Sequence, residues 1–149
     1  MRIAPIILGT ISLAISLMAR DITGTWKLNA EKSKLHNPVQ NYLMKIELTG
    51  PNTYRCVFDA VNASGVKQHV EVIRITDGKE HPVEGVNEPA GRTQIVSHDM
   101  TKIVQKTNGK IIGEIDVKFS ADGKTRTVTQ TGTDASGKSW KDLLVWEKQ

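Results

Sequence analysis

The sequence predicts an all-β protein, a single antiparallel up-and-down meander that closes into a β-barrel of eight to ten strands. Turn signals centred on glycine recur at positions 65, 78, 109, 123 and 137. Between them, apolar and polar residues alternate with a period of two, which is typical of strands with one buried face. No stretch after residue 19 has a helical period. Since tight turns join consecutive strands, and closure removes exposed sheet edges, a barrel is favoured over a two-layered sandwich.

The first 19 residues have the layout of a secretory signal peptide. Arg2 provides a positive start, residues 3–18 are apolar or small with few interruptions, and Ala19 precedes the charged pair Arg20 and Asp21. The alternative, a membrane anchor, would need roughly 20 apolar residues, and this run is shorter. We therefore expect cleavage after Ala19 and one domain over residues 20–149. We also expect no membrane anchor after cleavage and a periplasmic or secreted location.

The charge of the chain argues against a nucleic-acid partner, and its cysteine content argues against a disulfide. Without Arg2, the chain has 19 basic residues against 16 acidic ones, and they are spread along the sequence. No Lys/Arg cluster is present that would follow a phosphate backbone, so no nucleic-acid partner is expected. Cys56 is the only cysteine, which excludes an intramolecular disulfide. It lies in an apolar alternation and is interpreted as a small buried hydrophobe, with a reactive thiol as the alternative.

The turn signals combine Asn or Asp with glycine, residues that tolerate positive φ and suit the primed turns of hairpins. They read Asn62-Ala63-Ser64-Gly65, Asp77-Gly78-Lys79, Asn108-Gly109-Lys110, Asp122-Gly123-Lys124 and Asp134-Ala135-Ser136-Gly137.

The alternation between these turns predicts ten strands, most of them longer than the usual five or six residues. We place them near residues 22–29, 42–49, 53–61, 66–76, 79–84, 92–98, 102–107, 110–120, 124–133 and 138–148. Two connections, residues 30–41 and residues 85–91, are longer than a tight turn. Residues 30–41 either lie across the barrel mouth as a lid or form an inert connection.

A short motif at the start of the first strand resembles a known family. Gly24-Thr25-Trp26, followed by Lys27-Leu28-Asn29, resembles the Gly-x-Trp signature of lipocalins and the wider calycin superfamily, and residues 143–148 resemble the last strand of those barrels. With Lys32–Lys34 and the Asp-Gly-Lys turns, the chain is also similar to a group of uncharacterised bacterial lipocalin-like secreted proteins.

The resemblance implies a lipocalin-like β-barrel whose Trp26 packs across the closed end. In lipocalins an arginine of the final strand covers this tryptophan. No arginine follows Arg126 here, so the resemblance implies that Lys148 or no residue takes that position.

Residues for catalysis or metal binding do not form a recognisable constellation. The four histidines, His36, His69, His81 and His98, lack metal-ligand spacing, and no Gly-x-Ser-x-Gly elbow is present. Glu114 and Asp116 lie opposite the apolar face of their strand. We therefore predict no catalytic residues, no metal and no cofactor, and a protein that is not an enzyme. A barrel enzyme or a haem protein with one buried histidine remains the least favoured alternative.

One strand carries threonine at every second position. Thr125, Thr127, Thr129, Thr131 and Thr133 share a face, opposite Arg126, Val128 and Gln130. Threonine suits an exposed strand face, so we expect the row to face solvent. The alternative is an inward ladder of hydroxyl groups.

The interior of a small barrel is either filled by side chains or holds one small ligand. We predict the second case, with a small hydrophobic or amphipathic molecule bound inside. The candidate lining residues are Tyr42, Met44, Tyr54, Phe58, Val72, Ile115, Val117 and Phe119. The alternative is a filled barrel that acts through its outer surface as a protein-binding, inhibitor or envelope module, with an apolar patch near Trp140 or Trp146. The sequence names no protein partner.

Overall fold

The computed structural model describes residues 20–149, so the predicted signal peptide at residues 1–19 lies outside the described residues. The described chain is all-β, with eleven antiparallel strands. They are β1 (Gly24–Leu28), β2 (Val39–Gly50), β3 (Thr53–Asn62), β4 (Lys67–Ile75), β5 (Glu80–Pro82), β6 (Glu84–Val86), β7 (Arg92–Val96), β8 (Lys102–Thr107), β9 (Lys110–Phe119), β10 (Thr125–Thr133) and β11 (Ser139–Lys148). Between residues 20 and 149 there is no helix long and apolar enough to cross a bilayer.

The strands form one curled sheet in the order β5-β7-β8-β9-β10-β11-β1-β2-β3-β4-β6. Neighbours along the chain are mostly neighbours in the sheet, as a meander requires. The first and last strands meet, because β1 pairs with β11 and places Trp26 opposite Lys148 and Leu28 opposite Trp146. The predicted antiparallel up-and-down barrel is confirmed.

A second seam lies between β4 and β7, and residues 80–86 span it. Their first part pairs with β7, with Glu80 opposite Ile95. Their second part pairs with β4, with Glu84 opposite Ile73. Between the two parts, Val83 donates its N–H to the Arg92 carbonyl oxygen and packs against the core. The sequence predicted one strand here and eight to ten in total. Eleven are found because this segment changes partner in the middle.

The side chains that face inward form the core, and they divide the barrel into a closed end and a mouth. Trp26 is fully buried, and its Nε1 donates a hydrogen bond of 3.1 Å to the Ile22 carbonyl oxygen. Met100 adopts a left-handed backbone (φ 54°) in the loop that joins β7 to β8, and its side chain is buried beside the core. We call the end that holds Ile22, Trp26 and Met100 the closed end. The mouth is the opposite end, where β3–β4 and β10–β11 turn.

The turns form where the sequence predicted them, by two different mechanisms. Asn108 and Gly109 both have positive φ, 50° and 74°, as a primed two-residue hairpin turn requires. At 62–65 and 134–137 only the glycine has positive φ. There the Asn62 and Asp134 side chains accept backbone N–H groups of the loop, so an Asx-type turn replaces the primed turn.

The connection after β1 does not form a lid. Lys34 and Leu143 exchange two backbone hydrogen bonds of 2.7 and 2.8 Å, which continues the barrel wall beside β11. Strand β2 then begins at Val39, three residues before the predicted start. The segment binds to β11 because this strand extends beyond β1 towards the mouth, and its backbone groups there need partners.

We expect Gly85→Ala to lower the free energy of unfolding by about 1–3 kcal/mol, since a Cβ at Gly85 would overlap the Glu71 carbonyl oxygen of the adjacent strand. Gly50→Ala is the matched control, because a Cβ there meets Thr53 Cβ at an ordinary 3.8 Å. Urea unfolding measures both. Equal stability of the two variants would mean that β6 is not held against β4 as described.

Candidate functional site

The barrel interior contains a cavity of about 230 Å³. It extends from the level of Met44, Arg74 and Arg126 to Glu88 and Arg92 at the mouth. Strands on opposite sides of the barrel line it, because each presents alternate side chains to the interior. Twelve of its eighteen lining residues are apolar or aromatic, and six are polar or charged: Arg74, Glu88, Arg92, Gln105, Arg126 and Gln130.

The predicted lining residues divide into three groups. Tyr42, Met44, Phe58 and Ile115 line the cavity. Val72 and Val117 are buried in the core and do not reach it.

The remaining two candidates, Tyr54 and Phe119, face a different pocket of about 250 Å³ at the closed end. Their inward direction was predicted correctly, but Trp26 and Met100 occupy the barrel between this level and the main cavity. Met100 lines both spaces, so its side chain forms part of the partition between them.

Two arginines that the prediction left out are the most unusual groups in the cavity wall. Arg74 and Arg126 are 6% and 5% exposed, and both line the cavity. Each sits in an inward row with one buried valine two positions away, Val72 for Arg74 and Val128 for Arg126. The period-two pattern could have identified both of them. The threonine row of β10 lies on the outer face, as expected, because Arg126, Val128 and Gln130 point inward.

Arg126 lines the cavity and lies against the aromatic rings of Trp26 and Phe119 at the closed end. Its Cζ is 5.7 Å from the Trp26 ring centroid and 5.6 Å from that of Phe119, and its Nη1 lies 3.4 Å from Met44 Sδ. Its Nε has no hydrogen-bond partner among the described residues. Burial lowers the pKa of Arg126 to about 10, which still leaves the side chain charged at neutral pH.

Arg74 lies at the seam between β4 and β7. Its Nη1 donates to Gln94 Oε1 at 3.1 Å, and Gln94 Nε2 donates to the Ile73 carbonyl oxygen at 2.6 Å. The buried Gln94 amide therefore links the two strands where their backbones do not pair. Among residues 20–149, neither Arg74 nor Arg126 has a carboxylate within 4.0 Å. The inner part of the cavity is therefore positively charged.

The side chains that pack over the Trp26 ring differ from those that the resemblance implied. Lys148 Nζ lies 5.6 Å from the Trp26 ring centroid, as one reading allowed. Arg126 of the preceding strand, β10, also covers the indole. The inward direction of Arg126, opposite the outward threonines, places it there.

A side-chain cluster at the mouth fixes the connection after β1. The His36 backbone N–H donates to Asp142 Oδ1 at 2.7 Å, and His36 Nδ1 lies 2.8 Å from the same oxygen. The His36 ring stacks on Trp140 with centroids 4.4 Å apart. A catalytic triad would place a nucleophilic hydroxyl at His36 Nε2. The Asn37 amide nitrogen, Nδ2, lies there instead, at 2.9 Å.

The exposed apolar patch that the filled-barrel alternative predicted near Trp140 or Trp146 is wrong for Trp146, which is 3% exposed and lines the cavity.

Other titratable side chains form pairs on the outer surface. His69 lies between Asp59 and Glu71, and these two carboxylates raise its pKa above the ordinary value. Within the described part of the chain, no three His, Cys, Asp or Glu side chains converge as a metal site would require.

Comparisons with known proteins support the fold. No family model matches the chain, and no curated protein matches it. The crystal structure of zebrafish ileal bile acid-binding protein complexed with cholic acid aligns with a TM-score of 0.55 at 16% identity, over 85% of this chain and 98% of that one. A mutant of the fluorescent protein UnaG aligns with a TM-score of 0.56 at 16% identity, over 86% and 96% of the two chains. At this identity the two likenesses concern the fold, so the chain shares its antiparallel β-barrel architecture with both proteins.

We expect Arg126→Met to raise the free energy of unfolding of the ligand-free protein by about 1–3 kcal/mol, because it removes a buried charge that has no anionic partner. The loss of two cation–π contacts, about 0.5–2 kcal/mol each, limits this gain. The folded pKa of Arg126, about 10, lies below its unfolded value. The charge therefore destabilises the fold below pH 10, and the penalty disappears as pH rises from there.

Urea unfolding at pH 7 and above pH 10 tests this sign. The advantage of Arg126→Met should shrink at the higher pH. Arg74→Met is the comparison variant, and we expect it to lower stability, because Gln94 Oε1 loses its donor. Destabilisation by Arg126→Met at pH 7 would contradict the view that this charge is uncompensated.

Proposed function

We propose that this protein is a non-catalytic carrier that binds one small amphipathic molecule with an anionic group inside the barrel. The observation that carries the proposal is the pair of buried arginines, Arg74 and Arg126, for which the described part of the chain supplies no carboxylate partner. A buried guanidinium costs several kcal/mol, roughly, unless an anion or hydrogen-bond acceptor compensates it. A carboxylate, sulfonate or phosphate from a ligand would supply that compensation through charge-assisted hydrogen bonds.

The rest of the wall favours an apolar body for the ligand. Phe58, Val70 and Leu144 line the cavity on the mouth side of the arginines, and Trp146 lies opposite Arg126 in the strand register. A ligand whose anionic group reaches Arg126 would therefore place its apolar part against these side chains. Of the hydrophobic and amphipathic ligands that the sequence left open, this gradient of polarity supports the amphipathic ones.

The cavity size supports a small ligand. Its volume of about 230 Å³ exceeds the roughly 150 Å³ cavity that holds a benzene molecule and is below the roughly 300–1,000 Å³ of drug-sized sites. It also weighs against a completely filled barrel that acts only through its outer surface.

The barrel fold is compatible with this proposal. The similar zebrafish protein was crystallised with cholic acid, an amphipathic carboxylic acid. We extend a ligand of this chemical type to the present chain on the strength of its own arginines, since the likeness at 16% identity concerns the fold.

The proposal includes export to the periplasm or the extracellular medium. Its support is the leader-like pattern of residues 1–19 and the position of Arg20 directly before the barrel. Amino-terminal sequencing of protein secreted by its host is expected to begin at Arg20. A mature protein that begins at Met1 would contradict this part.

We expect 1-anilinonaphthalene-8-sulfonate to bind the barrel at least about tenfold more tightly than N-phenyl-1-naphthylamine, which has the same ring framework without the sulfonate. The sulfonate can reach the arginines, while the rings lie towards the open mouth. Titration by probe fluorescence, with energy transfer from the three tryptophans Trp26, Trp140 and Trp146 as a second signal, measures both affinities.

The matched variants are Arg126→Met and Arg55→Met. Arg55 lies on the outer face, where it pairs with Glu47 and Glu71. Arg126→Met should remove the preference for the sulfonate, and Arg55→Met should keep it. Equal binding of the two probes to the unaltered protein would refute an anion site, and failure of both to bind would count against the carrier.

A further inference from the structure

The single cysteine of the chain lies in the cavity wall, next to the arginines. Cys56 is on β3, is 2% exposed and is one of the cavity-lining residues. It pairs with Ile46 on β2 and with Val72 on β4. Met44 and Arg74 lie two residues away from these partners, so all of these side chains face the interior as close diagonal neighbours.

The second observation at this position is the unpartnered Arg126 side chain. Arg126 reaches the same part of the cavity from the opposite side of the barrel, with its Nη1 against Met44. It is 5% exposed, and its Nε has no hydrogen-bond partner among the described residues. The thiol therefore lies where an anion held by Arg74 and Arg126 would be placed.

The electrostatics of the thiol are mixed. Burial raises the pKa of Cys56, while the nearby Arg74 and Arg126 charges oppose this rise. Burial dominates, so the thiol is protonated at neutral pH and reacts slowly with reagents from bulk solution. A reaction at Cys56 therefore requires an electrophile that the cavity itself binds and orients, for which effective concentrations can be very high.

We propose that Cys56 is a covalent capture site for anionic, electron-poor alkenes, in which a carboxylate adjoins a carbon–carbon double bond that is conjugated to a ketone. This inference rests on the proposed function, because the arginines that hold the carboxylate are the same. According to this inference, a carrier that otherwise binds its ligands reversibly forms a covalent bond with one reactive class of ligand.

The reaction is a simple addition. Arg74 and Arg126 hold the carboxylate, which places the adjacent alkene carbon near the Cys56 sulfur. A bond forms between the sulfur and this carbon, and the π pair moves to the carbon next to the ketone. That carbon receives the proton that the thiol loses. Nothing leaves, and no oxidant or reductant is needed.

The test uses (E)-4-oxo-4-phenylbut-2-enoic acid and its methyl ester, with intact-protein mass spectrometry as the readout. Each rate is divided by the rate of the same probe with free N-acetylcysteine, which removes the intrinsic difference in reactivity. We expect one adduct per chain and a normalised rate at least about tenfold higher for the acid, from the charge-assisted contacts. Peptide mapping of the unaltered protein should place the adduct on Cys56.

Variants test the role of each group. Cys56→Ser should abolish the adduct, and Arg126→Met should reduce the normalised rate of the acid to that of the ester. Arg55→Met, on the outer face, should leave the rate unchanged. Since peptide mapping locates the adduct in the unaltered chain, the assignment does not depend on the folding of Cys56→Ser.

The saturated analogue, 4-oxo-4-phenylbutanoic acid, separates this inference from the proposed function. It should bind reversibly, measured by displacement of 1-anilinonaphthalene-8-sulfonate, and should slow adduct formation. Reversible binding without any adduct from the alkene would overturn the capture site and leave the carrier intact. Equal normalised rates for acid and ester, or an adduct elsewhere, would also overturn it. Absence of both binding and adduct would reject the two proposals together.

Discussion

The burial of Trp26 at the junction of the first and last strands is the constraint on which the rest of the barrel depends. Strand β1 has only five residues, yet it pairs with both β2 and β11 and so completes the wall. The indole fills the closed end, its Nε1 bonded to Ile22 and its ring 6.4 Å from that of Phe119. The indole contacts Arg126, which lines the main cavity, and Phe119, which lines the closed-end pocket, so the closure of the fold sets the depth at which the main cavity ends.

The barrel wall is completed differently at its two seams. At β1 and β11 a regular backbone ladder closes it. At β4 and β7 the short strands β5 and β6 cross from one edge to the other, and the Gln94 amide links the gap from inside. Backbone pairing gives a uniform wall, whereas the second seam combines the short strands β5 and β6 with a side-chain amide, Gln94, that also binds Arg74. This seam therefore couples the integrity of the wall to the polarity of the cavity.

The interior combines features that lower stability with features that suit a ligand. Among the described residues Arg126 has no carboxylate partner, which is unfavourable in an empty barrel, and Arg74 has the Gln94 amide oxygen as its acceptor. Departures of this kind concentrate where proteins bind other molecules. The aromatic rings of Trp26 and Phe119 reduce the penalty for Arg126 by offering their faces to the guanidinium. They cannot satisfy its Nε, which leaves one directional donor for an acceptor that residues 20–149 do not supply.

The sequence by itself determined the strands, the positions of their turns and the face that each strand turns inward. These depend on local rules: alternation with a period of two, and the tolerance of Gly, Asn and Asp for turn geometry. The inward direction of Tyr42, Met44, Tyr54, Phe58 and Phe119 followed in this way. So did the outward threonine row of β10.

Only the tertiary structure decided which inward residues share a space. Tyr54 and Phe119 point inward as predicted, but Trp26 and Met100 separate them from the main cavity. Alternation places Arg126 on the inward face of its strand. Its side-chain contacts with Trp26 and Met44, however, depend on strands that are far apart in the sequence. The change of partner at Val83 and the docking of Lys34 on β11 are likewise long-range. Alternation gives a side chain its direction, whereas the depth of each residue in the barrel depends on the register between distant strands, which local patterns do not encode.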